Sequence, residues 1–293
     1  GGFFIMMMKK IVLTITIISI LFACKGPEIK NGEGKTQINK YAAGFEISEI
    51  EEGYILKVKN RFGSEKDDTD DYLLSSSSES ESSNNVIIHI PVSKVVCLST
   101  THCAFISALG RNSSIKGISS PEYVYDDEIQ KMISNGDIYD VGYDNQINYE
   151  KIISINPDVV FAFGVDNASA ANFQKLSDAG IPVIFVNDYV ESTPLGRTEW
   201  IKFFGCFYDR LDFATEYFDS VETKYNSVKN NIPQSESKPK VLVSLPWKGT
   251  WWVPGGDSYF SNFIKDAGAE YIFDDNDKSE SISLSIEQVF AAA

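Results

Sequence analysis

Three tryptophans, Trp247, Trp251 and Trp252, crowd the stretch LPWKGTWWVPGGDSYFSN at residues 245–262, next to the pair Gly255-Gly256. Aromatic rings at this density either fill a core or wall a cavity, where they offer much contact area at little entropic cost. If TWWV is a strand, successive side chains alternate across it, so Trp251 and Trp252 point opposite ways, one to a core and one to a cleft. The glycine pair permits a tight turn before a helix that starts near Ser258. The N–H groups at that helix start can be capped by Ser258 or can hold an anionic ligand group, and the cap is the simpler use.

Other residues with chemical potential are sparse. The chain has two histidines, His89 and His102, too few for a metal centre of converging nitrogen and carboxylate ligands. His102, at a helix start, is expected to hydrogen-bond or to touch the edge of a ligand, with axial ligation of a haem or cobalt as the alternative. No G-x-S-x-G elbow, P-loop, G-x-G-x-x-G or H-E-x-x-H string occurs, and the carboxylate pairs Asp126-Asp127 and Asp274-Asp275 sit in acidic, surface-like runs. We therefore expect no enzyme, no resident cofactor and no metal. Net charge is −15 and no basic stripe appears, which disfavours nucleic acid. The four arginines, Arg61, Arg111, Arg197 and Arg210, do not cluster, so a strongly anionic guest lacks matching cations.

The N-terminus carries a different chemistry. Lys9-Lys10, the apolar run at 11–22 and Ala23 describe a secretory signal peptide, too short for a comfortable membrane span. Leu21-Phe22-Ala23-Cys24 fits a bacterial lipobox, in which the Cys24 thiol is acylated and anchors the mature chain to the bilayer. Cys97, Cys103 and Cys206 then remain, in apolar surroundings that suit buried thiols better than a disulfide framework.

These residues must be positioned by the elements around them. After the signal segment, 1–24, we read residues 25–86 as a tether with a β-hairpin, FEISEI and YILKVKN, followed by a low-complexity Ser/Glu-rich loop. IIHIPV is a strand leading into the main fold. Residues 87–193 alternate strands with helices over short loops, the pattern of a parallel sheet covered on both faces. Residues 194–232 are a helical tract interrupted near Gly205. Its second half carries Leu211, Ala214, Phe218, Val221, Tyr225 and Val228 on one stripe, about 20 residues and roughly 30 Å long. Residues 233–293 give one β/α/β unit and the start of a helix, which reads as a partial second lobe with a truncated C-terminus.

The fold class is therefore α/β: two Rossmann-like lobes joined by a long interdomain helix. Several strings resemble the substrate-binding lipoproteins of ABC importers for iron chelates and vitamin B12, the helical-backbone class III of periplasmic binding proteins. They are VVCLSTTHCAFISALG, VGYDNQINYEKIISINPDVVFAFG, LSDAGIPVIFV, ESTPLGRTEWIKFFG and WVPGGDSYFSNFIKDAGAEYIF followed by LSIEQVF, together spanning about 90–293. The resemblance implies a monomer, anchored in the periplasm, that holds an iron(III) chelate (siderophore or haem) or cobalamin between its lobes and delivers it to a permease in the inner membrane. A free metal-ion binder and a tethered scaffold are the alternatives.

In such folds ligands meet the loops at the C-terminal ends of the strands. Those loops place Thr101, His102, Tyr123, Tyr125, Tyr143, Phe163, Trp247, Trp251, Trp252 and Ser258 at the expected site. Glu191 and Arg197 are read as hinge residues, most simply an ion pair of Arg197 with Glu191 or Glu199, with ligand contact by Glu191 as the alternative. The resemblance further implies a docking carboxylate on each lobe, carried here onto Asp166 and Asp257.

Overall fold

The computed structural model describes residues 35–37, 39–59, 69–77, 87–143, 146–164, 173–233 and 237–292. Cys24, the signal segment, most of the Ser/Glu-rich run and Asp166 lie outside the described residues. Among those described, no helix is long and apolar enough to cross a membrane.

The described residues begin with a five-stranded sheet rather than a hairpin. Strands β1 (Lys35–Gln37), β2 (Phe45–Ile50), β3 (Gly53–Lys59), β4 (Thr69–Ser75) and β5 (Ile87–His89) lie in sequence order. The first three contacts are antiparallel, and β4 pairs β5 in parallel. The β2–β3 hairpin is the expected one. Strand β4 begins in a stretch read as loop, and β5 completes this sheet instead of opening the next. The alternation of Tyr72 and Leu74, both buried, with Asp71 is the signal for β4, and it covers too few residues to stand out beside the acidic and serine runs.

The next elements are β6 (Val95–Cys97), α1 (Thr100–Ala108), β7 (Ile115–Ile118), α2 (Asp127–Ser134), β8 (Tyr139–Asp140), α3 (Tyr149–Ile155), β9 (Val159–Ala162), α4 (Gln174–Asp178) and β10 (Val183–Phe185). Their sheet runs β10-β9-β6-β7-β8 and every pairing is parallel, as the strand–helix alternation requires. Side chains alternate across it. Val95, Cys97 and Phe161 enter one core, whereas Val96, Leu98, Val160 and Ala162 meet Ile152 of α3 and Leu176 of α4 in another.

Helix α5 (Pro194–Phe207) is what joins the two sheets. Of its 14 residues only Arg197 and Thr198 are not buried, the mark of a helix enclosed on all sides. Its rings contact both neighbours: Trp200 lies 4.7 Å from Phe45 of β2, and Phe204 and Phe207 lie 4.8 and 5.0 Å from Phe161 of β9. Two carboxylates reinforce this contact. Glu191 accepts the backbone N–H groups of Ala43 and Gly44 and the Trp200 indole N–H, and Glu199 accepts those of Lys40, Tyr41 and Ala42. Glu199 also pairs with the buried Lys202 ammonium at 2.7 Å. Burial alone would raise the Glu199 carboxyl, but Lys202 and the three N–H donors hold it below the usual carboxylate range.

The interruption near Gly205 separates α5 from α6 (Leu211–Asn230), with Asp209 in the left-handed region at φ 51°. The helices fold back on each other: a Cβ on Gly205 would come within 2.7 Å of the Ala214 Cβ, and the Lys202 ammonium lies 4.5 Å over the Phe218 ring. The rod is α6 alone, 20 residues as expected. Its stripe is buried at Leu211, Ala214 and Phe218, while Val221, Tyr225 and Val228 line an apolar groove against the second lobe.

That lobe comprises β11 (Lys240–Val241), β12 (Pro246–Trp247), β13 (Thr250–Val253), α7 (Tyr259–Asp266), β14 (Glu270–Tyr271), β15 (Ile282–Ser285) and α8 (Ile286–Ala292). Strands β11 and β14 pair in parallel, and β12-β13-β15 form a separate antiparallel sheet that a pure β/α/β reading lacked. The hairpin follows from its two-residue loop: Lys248 and Gly249 both have positive φ, 50° and 81°, the backbone that tight hairpins demand. The lobe attaches to α6 through Tyr225 and Lys229, both on Asp266, and to the start of α5 through Asn262, which donates to the Ser192 carbonyl at 2.8 Å.

Candidate functional site

The C-terminal ends of β6, β7, β8 and β9 surround a cavity of about 500 Å³. Three rings wall it: Tyr123 after β7, Tyr143 after β8 and Phe163 after β9. Between them are hydroxyls from Ser99 and Thr100 at the start of α1 and from Ser119 and Ser120 after β7, together with the Glu122 carboxylate. Local structure holds these groups. Ser99 caps α1 by accepting the Thr101 N–H, and Ser119 donates its N–H to the Cys97 carbonyl at 3.0 Å. The loop after β7 turns at Ser120, whose φ is 54°, and Gln130 of α2 donates to the Pro121 carbonyl at 3.1 Å. Asp126, which caps α2, also accepts from Ser107 of α1 at 2.6 Å. That bond, with two backbone N–H donors, depresses its carboxyl pKa. The loop that carries Tyr123 is therefore pinned on two helices, α1 and α2.

A second, smaller cavity of about 190 Å³ lies where the lobes meet. Tyr189, Glu191, Ser192 and Arg197 line it from one side, and Ser258, Tyr259 and Phe260 from the other. Arg197 donates to the carbonyls of Asp188 and Tyr189 and stacks 4.2 Å over the Tyr259 ring. Asp188 is buried beside it, and burial pushes its carboxyl up to about 6 despite the Arg197 charge.

Of the residues expected at the site, Tyr123, Tyr143 and Phe163 converge on the larger cavity, while Ser258, Glu191 and Arg197 reach the smaller one. Thr101 is exposed next to the larger cavity and does not line it, and Tyr125 is 89% exposed. Trp247 and Trp252 are exposed on the second lobe's antiparallel sheet and line neither cavity. Asp257 is exposed, with its carboxylate accepting from Asn262.

Two residues belong to cores instead of the cleft. The His102 ring is fully buried against Phe161 and Phe204, and among the described residues neither nitrogen has a partner in good hydrogen-bond geometry, the Phe161 backbone being a weak one at most. Burial lowers its pKa to about 3, and the adjacent Phe161 backbone opposes this only in part. The spacing of His102, Cys103 and Ile106 on one face of α1 was the available signal. Trp251 is the inward residue of the TWWV strand: its indole N–H donates to the Val243 carbonyl at 3.2 Å. The expected pairing of Arg197 with Glu191 or Glu199 gives way to the carbonyl contacts above, because both carboxylates are taken up by residues 40–44.

The turn before α7 is also occupied. Gly255 donates to the Glu280 carbonyl, Gly256 to the Asn276 side chain and Asp257 to the Lys278 carbonyl, each at 3.0 Å. A Cβ at Gly255 or Gly256 would come within 2.1 Å of a backbone oxygen, so these glycines serve a close approach of the chain's own 276–280 segment. Ser258 caps α7 by accepting the Ser261 N–H. Cys97, Cys103 and Cys206 are buried free thiols, and among the described residues no three His, Cys, Asp or Glu side chains converge as metal ligands.

A parallel sheet with a cavity at its strand ends, a helical joint and a second lobe define a two-lobed α/β fold. Residues 95–293 match the periplasmic binding protein family, and the chain belongs to it. An uncharacterized lipoprotein of Methanocaldococcus jannaschii is 32% identical over 229 residues, covering 74% of this chain and 54% of that protein. An uncharacterized ABC transporter substrate-binding lipoprotein of Bacillus subtilis is 34% identical over 96 residues, 32% of this chain and 28% of that protein. The chain spans about half the length of the first curated relatives it matches. Among solved structures, a possible iron-binding periplasmic solute-binding protein of Staphylococcus epidermidis superposes with a TM-score of 0.57 at 23% identity, over 69% of this chain and 74% of that one. The periplasmic heme-binding protein of Vibrio cholerae gives 0.55 at 20%, over 68% and 72%. Both likenesses are of fold.

Proposed function

We propose that this chain is the solute-binding protein of an ABC importer, tethered outside the cytoplasmic membrane through acylated Cys24, and that it captures an iron(III) chelate or cobalamin without transforming it. The observation that carries the reading is the ring-walled cavity at the strand ends of a chain belonging to the periplasmic binding protein family. Its volume, about 500 Å³, suits the body of a compact chelate or one face of a larger ligand reaching toward the second lobe. The likeness in fold to a possible iron-binding protein and to a heme-binding protein supports the same ligand class. On this reading Asp257, exposed on the second lobe, and Asp166 on the first meet cationic residues of the permease.

Calorimetric titration with a ferric trihydroxamate, haem and cobalamin tests the proposal. Saturable one-to-one binding of one of them is expected, and silence across all three contradicts it.

A further inference from the structure

The larger cavity has an uneven charge. Among the described residues that line it Glu122 is the one acidic side chain and none is Lys or Arg, and among the described residues the Glu122 carboxylate makes no hydrogen bond or ion pair. In sequence, the stretches that follow the four strands, 99–102, 119–125, 142–146 and 164–172, contain no Lys or Arg. Three rings share the cavity with that carboxylate. A carboxylate among aromatic faces favours a cation, which the ring quadrupoles and the ion pair attract together. Against this stands the start of α1, whose backbone N–H groups at Ser99 and Thr100 attract negative charge. That end carries only about half a positive charge, and Ser99 already satisfies one donor. It suits a neutral acceptor oxygen, such as a hydroxamate carbonyl, better than a full anion.

We infer that Glu122 sets the charge preference of this cavity, so that the preferred guest carries a cationic arm, an ammonium or guanidinium, on a bulky neutral body. The inference rests on the solute-binding reading and narrows it. It excludes tri-anionic catecholate chelates, whose charge would meet the carboxylate with no cation to offset it.

The test uses one iron chelate in two charge states: a linear ferric trihydroxamate with a free terminal ammonium, and the same chelate N-acetylated. Titrated calorimetrically at low salt, the ammonium form should bind about 10-fold more tightly to the wild-type chain. Glu122→Gln should remove the preference and Glu122→Lys should reverse it. Because Glu122 is exposed, both variants should melt at the wild-type temperature. Equal affinity for the two forms in the wild type, or a preference that survives in Glu122→Gln, overturns the inference alone. So does binding of haem or cobalamin with both hydroxamates silent, which leaves the solute-binding reading standing. Silence of all four ligands overturns both.

Discussion

The two lobes each begin a helix at a capped serine after a strand, and the two helix starts have opposite fates. At α1, Ser99 caps the helix and the space in front of it is open, part of the 500 Å³ cavity. At α7, Ser258 caps in the same way, yet the segment 276–280 lies across the preceding glycines and takes up their N–H groups. A cap residue, a glycine turn and a helix start therefore define a binding-competent terminus only where the rest of the chain leaves it uncovered. The tryptophans repeat the contrast within one strand: Trp251 is structural and Trp252, its neighbour, faces solvent.

The largest expected effect breaks the second lobe where it is most self-contained. Trp251→Ala removes a core indole and leaves the Val243 carbonyl unpaired. It should destabilise the protein by about 3–5 kcal/mol, whereas Trp252→Ala should stay within about 0.5 kcal/mol. Denaturant melts of the pair measure the difference, and equal losses would dissolve the inward–outward assignment. Next comes Gly256→Ala, whose Cβ would meet the Asn276 carbonyl at 2.1 Å. Displacing that segment should cost about 3 kcal/mol, read as a fall in melting temperature. The corresponding change at the open terminus, Thr100→Ala, should leave the melting temperature nearly unchanged.

A smaller effect concerns acid. His102 has its folded pKa lowered to about 3, against an unfolded value of about 6.5. Between those values the unfolded chain binds the extra proton, so this group makes stability fall as pH falls, by about 1.4 kcal/mol per pH unit. Asp188 acts in the opposite sense. Its carboxyl is raised to about 6, so from there down to about 3.9 the folded state binds the proton and gains stability as pH falls. The two slopes offset each other in the wild type between about pH 4 and pH 6. The comparison of wild type with His102→Leu isolates the histidine, and the variant should lose less stability than the wild type from pH 6.5 to 4. Parallel curves would mean that the ring is solvated.

The first lobe was readable because its periodicity is local. VVCL, DVVFAFG and IPVIFV announce buried strands, and the spacing of Leu211, Ala214 and Phe218 announces one face of α6. Tyr123, Tyr143 and Phe163 followed from strand ends alone. What escaped depends on distant partners. Nothing near Glu191 or Glu199 says that residues 40–44, some 150 positions earlier, present their backbone N–H groups to them. Strand β4 becomes a strand because Tyr72 and Leu74 join the core shared with α5. The Ser99, Ser119 and Ser120 hydroxyls and Glu122 gave no motif, since serines and a glutamate in loops are ordinary until a cavity places them together. A denser signal was present in WIKFFGCF, residues 200–207, whose apolar residues leave no polar face. That pattern, broken only by Lys202, means a helix enclosed on nearly every side, and the reading of 194–232 as a connecting helix did not use it.

The central claim is that the guest lies against the rings at the first lobe's strand ends. Tyr143→Ala combined with Phe163→Ala, titrated beside the wild type with whichever of ferric trihydroxamate, haem or cobalamin binds, tests it most directly. Affinity should fall at least about 10-fold, because each ring contributes on the order of 1 kcal/mol or more of contact, while the melting temperature falls only modestly, since Tyr143 is exposed and Phe163 packs against the core in part. Wild-type affinity in the double variant would place the ligand elsewhere and contradict the account.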